Sequence, residues 1–188
     1  MQPATSSNRR RLDIVATIGL GVGAILGLAG TLVESDSVRQ ACWGLDGVAL
    51  VVATAILSVR YLRRGDDCVA AGFLVFAMGE SLLVSGTAAG LGDSVPSFGG
   101  GVALWAAALL MTSIPRTFAG WVRAAGLVAA ALFAVVAARI FWGEPLLPTA
   151  SPLPFFGYPF VVLTFAGWAW TLLTDESADG EASVQRSA

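Results

Sequence analysis

Histidine and lysine are both missing from these 188 residues, and charged side chains of every kind make up only 13%. Without lysine there is no retinal Schiff base, and without histidine there is no His-ligated haem, His-bound zinc or Ser-His dyad. Several large classes of membrane enzyme are thereby excluded. No metal set or nucleophile-base pair takes their place, so the expectation is a chain that is not an enzyme and needs no cofactor. The two cysteines, Cys42 and Cys68, stand before the second apolar segment and at the start of the third. A membrane crossing separates them, which is too far for a disulfide.

What the chain has in quantity is apolar length. Hydrophobic residues are 56% of the total, gathered in segments 14–33, 43–62, 68–91, 98–114, 120–142 and 155–174. Each is close to the ~20 residues that a helix rising 1.5 Å per residue needs to cross a hydrocarbon core. The fold class that follows is an all-α integral membrane protein, a compact bundle of six transmembrane helices with short hairpin connections. Residues 1–12 read as an N-terminal tail, 13–174 as a single transmembrane domain, and 175–188 as an acidic, disordered tail with little to bury. The expected surroundings are a lipid bilayer, and no nucleic-acid partner is implied.

Arginine fixes the expected threading, because basic residues near helix ends are retained in the cytoplasm. Arg9, Arg10, Arg11, Arg60, Arg63, Arg64, Arg116, Arg123 and Arg186 fall on one side of the zigzag, and only Arg39 and Arg139 on the other. Both termini are therefore expected in the cytoplasm, the protein in the cell inner membrane. The Arg9 to Arg11 run precedes 20 uncharged residues, longer than the apolar region of a signal peptide, and reads as a permanent anchor.

Local signals define the connections. Arg63 and Arg64 suit a helix end, Gly65 its left-handed cap, and Asp66 and Asp67 the next helix start. Gly92, Asp93 or Ser94, and Pro96 repeat this logic between the third and fourth spans. Between the fifth and sixth, Pro145, Pro148, Pro152 and Pro154 block a helix, and the apolar residues among them suit a linker on the membrane surface, the favoured reading, or a loop folded over the mouth of the bundle. Trp43, Trp142 and Tyr158 mark one membrane boundary, and Tyr61, Trp121 and Trp170 the other. Trp105 falls in mid-span.

Gly19, Gly23 and Gly27 recur every four residues, and Gly72, Gly79 and Gly86 every seven. In lipid such stripes open grooves where a second backbone can approach, within the bundle or between copies. The Gly19-Leu20-Gly21-Val22-Gly23-Ala24 run also fits a dinucleotide-binding pattern, but without the alternating strands and helices that give it meaning.

The residues that demand explanation are the deep ionisable ones. A charged carboxylate at the middle of span three costs about 2.5–3.5 kcal/mol or more, so Glu80 is expected to be protonated, paired or hydrated. Thr54, Trp105 and Thr164 fall at a similar depth and could form a polar cluster around it. Asp46 and Arg139 each lie about a turn below the opposite boundary, and an ion pair between them is expected. Two functions remain in view. One is a proton-linked or small-solute transporter or channel with its polar site at Glu80. The other is a non-transporting subunit or sensor that binds a partner, or copies of itself, through the glycine faces.

Overall fold

The computed structural model describes residues 6–185, so the polar residues 1–5 and Arg186 lie outside it. It contains α1 (Ser6–Leu32), α2 (Asp36–Arg64), α3 (Asp67–Thr87), α4 (Val95–Ser113), α5 (Gly120–Phe141) and α6 (Tyr158–Gln185). All six are long and apolar enough to cross a membrane. Each packs on its neighbour in sequence, and α6 returns to α1, closing the helices into a ring. Both termini and the α2–α3 and α4–α5 connections share one end, the terminal face. The other three connections form the far face.

Side chains are distributed as a bilayer requires. Ile18, Ile25, Val48, Leu45, Leu74 and Met78 point outward and exposed, while alanines, glycines and aromatics fill the interior. Helices in lipid gain no hydrophobic energy from each other, so close packing must hold them. The glycine stripes supply it. A methyl group built on Gly19 would lie 2.8 Å from the Ala49 carbonyl oxygen of α2, and one on Gly79 would lie 2.9 Å from that of Gly101 on α4. Gly23 and Gly27 likewise receive Leu50 and Asp46, while Gly72 and Gly86 receive Thr112 and Ser97. Both stripes therefore meet neighbouring helices of the same chain.

The α2–α3 hairpin forms as its residues dictate. Gly65 caps α2 at φ 81°, and its N–H donates to the Leu62 carbonyl at 3.1 Å. Between α3 and α4 the left-handed residue is Gly90 rather than Gly92, because α3 ends at Thr87 and the turn comes earlier. The proline-rich segment follows the second of its two expected readings rather than the favoured one. Pro148 is buried, Leu146 and Leu153 pack on the core, and the Tyr158 hydroxyl donates to the Pro148 carbonyl at 2.7 Å. The segment folds over the far mouth of the ring instead of lying away from it.

At the terminal face an ion network closes the ring. Arg60 of α2 pairs with Asp13 of α1 and, at 3.1 Å, with Asp175 of α6, to which Arg64 adds a bond of 3.0 Å. Asp175, which composition places at the start of the tail, thus anchors α6, and helical backbone continues beyond it to Gln185. Above this network an aromatic stack fills the bundle. Phe133 meets Trp105 edge-on, Trp105 lies flat on Phe76 at 5.2 Å, and Phe76 contacts Phe165 and Trp168. Trp168, Phe73 and Tyr61 continue toward the terminal face. Such pairs add about 0.5–1.5 kcal/mol each beyond the burial of their area.

Candidate functional site

Over the flat Trp105–Phe76 pair stands a cavity of about 140 Å³. Its floor and walls include Asp46, Glu80 and Trp105, and it rises past Trp43 and Tyr158 to Asp36, Arg39, Leu91 and Pro148 at the far face. Helix geometry explains why these residues converge. Glu80 sits seven residues below the far end of α3, and Asp46 ten below that of α2, about 10–15 Å at 1.5 Å per residue. The two helices are neighbours in the ring, and Gly47 lets them approach: a methyl there would run into the Val84 side chain of α3, one turn from Glu80.

Glu80 is 3% exposed, and its Oε2 accepts a hydrogen bond of 3.0 Å from Trp105 Nε1. That contact explains the mid-span tryptophan, whose indole N–H needs an acceptor away from water. Thr54 and Thr164 do not join it. Each is fully buried, and each hydroxyl turns back along its own helix, Thr54 to the Leu50 carbonyl at 2.7 Å and Thr164 to that of Phe160 at 2.8 Å. A threonine inside a helix can satisfy its donor on the carbonyl one turn back, so depth alone did not bring these two to Glu80.

The expected Asp46–Arg139 pair is not formed. Arg139 bonds Glu144, one turn along its own chain, with Nε at 2.7 Å and a terminal nitrogen at 2.6 Å from Oε2. In the closed ring α2 packs on α1 and α3 while α5 packs on α4 and α6, so the two residues share a depth but occupy opposite sides. Asp46 is left 7% exposed with Oδ1 buried and without a hydrogen-bond partner. The cation nearest the mouth, Arg39, is committed elsewhere, to the Asp36 carboxylate and to the carbonyls of Val33 at 2.6 Å and Glu34 at 3.3 Å.

Three aromatics expected at the membrane boundaries also turn inward. Trp43 and Tyr158 line the cavity, and Tyr61 is buried in the aromatic stack, whereas Trp121, Trp142 and Trp170 remain exposed. The signal that separates them is the small residue opposite: Trp43 Nε1 donates to the Gly27 carbonyl at 3.3 Å, over the glycine stripe of α1. Among the described residues no group of three or more His, Cys, Asp or Glu is placed to hold a metal ion. The site therefore consists of two deep carboxylates with aromatic walls and an aromatic floor. No family model, curated protein or solved structure matches the chain, which leaves the chemistry of this cavity as the ground for any reading of its function.

Proposed function

We propose that this chain is a multi-pass inner-membrane protein, with both termini in the cytoplasm, that takes a small solute or protons into the Glu80 cavity and moves them across the bilayer. One observation carries the reading: Asp46 and Glu80 share a cavity that opens at the far face, and the arginine in its wall, Arg39, stands at the mouth with its terminal nitrogens on Asp36, Val33 and Glu34 rather than on either acid. Uncompensated carboxylates at this depth are costly in lipid, and a fold that retains two in one chamber uses them. The contrast with Asp13 supports this, since that acid has Arg60 as its partner.

The arginine distribution supports the orientation, which turns the cavity mouth outward. The aromatic stack below Trp105 then corresponds to a state closed toward the cytoplasm, and passage requires the stack to part. Proton coupling would reside in Glu80 together with the titratable groups facing the same chamber, Asp46 from α2 and Tyr158 from α6, with the Asp36–Arg39 pair at the mouth. α1 and α4 contribute no charge to its walls.

Flux in liposomes at several pH values, compared between the native chain and Glu80→Gln, tests the reading. Glutamine keeps the shape and can still accept from Trp105, so folding should be preserved while pH-dependent flux disappears. A Glu80→Gln protein that transports with the native pH dependence would remove Glu80 from the mechanism.

A further inference from the structure

We propose that the cavity is a binding site for a small organic cation, an ammonium compound of about benzene's size, held between Asp46 and Glu80. The inference rests on the Glu80 cavity being a ligand site and names the chemical class of its occupant. Size comes first. A cavity of about 140 Å³ is close to the ~150 Å³ that accommodates benzene in an apolar protein interior, so nucleotides and peptides do not fit inside.

The hydrogen-bond census of the wall then decides the sign of the charge. Apart from the exposed Gln40 amide and Arg39 Nε, both toward the mouth, the side-chain donors lining the chamber already donate to the protein. Trp105 gives its indole N–H to Glu80, Trp43 to Gly27, and Tyr158 its hydroxyl to Pro148. The wall hydroxyls turn back on nearby carbonyls, Thr31 on Leu28, Thr87 on Leu83, Ser94 on Leu91 and Ser97 on Ser94. Deep in the chamber the groups left open are acceptors: Asp46 Oδ1, buried and without a partner, and Glu80 Oε1, outside the bond that Trp105 makes to Oε2.

An occupant that complements this surface brings donors and positive charge. An ammonium group does both, and it meets the open oxygens of two carboxylates that share one buried chamber. The rings of Trp43, Phe98, Trp105 and Tyr158 add π faces to the same wall, the surroundings in which organic cations are stabilised. Arg39 does not reverse the sign. Its Nε is buried without a partner, but it stands seven residues above Asp46 at the mouth, with its terminal nitrogens on Asp36, Val33 and Glu34.

An isosteric series tests the proposal on the purified full chain in nanodiscs, with binding followed by intrinsic tryptophan fluorescence. The probes are benzylamine, benzyl alcohol and benzoate, alike in shape and differing in charge. Benzylamine should bind at least about tenfold more tightly than the alcohol, and benzoate more weakly than either. Asp46→Asn, which keeps the shape of the side chain, should abolish that tenfold preference. Equal binding of amine and alcohol, preference for benzoate, or no binding of benzylamine would each overturn the proposal. Should Asp46→Asn fail to fold, the series on the native chain decides alone. Loss of amine selectivity with Glu80-dependent proton flux retained would sink the cation and leave the transport reading standing. Selective amine binding without flux would do the reverse.

Discussion

At the terminal face, Asp13 and Asp175 meet Arg60 and Arg64, whereas halfway along the same bundle Asp46 and Glu80 share a chamber with no basic partner. The two regions lie in one ring of helices and use the same residue type to opposite ends. Where the acids are paired, they join α1, α2 and α6 and complete the fold. Where they are unpaired, they face a cavity, and the packing around them is held by other means: glycine stripes on one side and stacked aromatics below. Stability and the candidate chemistry are therefore carried by different halves of the molecule.

The largest expected effect comes from splitting the buried pair at the terminal face. Arg60→Ala should cost about 3–5 kcal/mol, because it strands the buried Asp13, Asp13→Ala should cost less, because Arg60 keeps Asp175, and the double variant should cost less than the sum. Unfolding in mixed micelles measures all three. Asp46→Asn, in the same assay, should leave stability unchanged or raise it. A loss at Asp46 as large as that at Asp13 would erase the distinction between the two halves.

A smaller effect sharpens the account of what holds the far half together. Gly79→Leu places a side chain against the Gly101 backbone and should cost about 1–3 kcal/mol, while Gly21→Leu, whose added carbon meets nothing within 4 Å, should be near neutral. Equal tolerance at the two positions would mean that the α3–α4 contact is not close-packed in the membrane.

The six crossings were legible because length and hydropathy determine them directly, and Glu80 with Trp105 because both are polar groups stranded at one depth. Depth is a single coordinate, however. It could not show that α2 and α5 sit across the ring from one another, which is why Asp46 and Arg139 share a level without touching. At the other end Arg60 and Asp13 also fall near one level, at the edges of segments 43–62 and 14–33, and depth alone did not pair them either. Thr54 and Thr164 were misread for another reason: a hydroxyl in a helix has a carbonyl of its own within reach, so its polarity carries no information about neighbours. The proline segment was legible as non-helical, and as either a surface linker or a cover; choosing between them depends on Tyr158 reaching Pro148, a contact set by tertiary packing.

One-sided access to Glu80 is the central claim, and cysteine chemistry tests it most directly. In a chain carrying Cys42→Ser and Cys68→Ser, Glu80→Cys would be exposed to a small, membrane-impermeant trimethylammonium thiosulfonate, applied to intact cells and separately to inverted vesicles. The account predicts modification in intact cells, through the far mouth, and protection in inverted vesicles, where the aromatic stack stands between reagent and thiol. The opposite pattern would reverse the threading. Modification from both sides, or from neither, would contradict the claim that this is a chamber with a single open mouth.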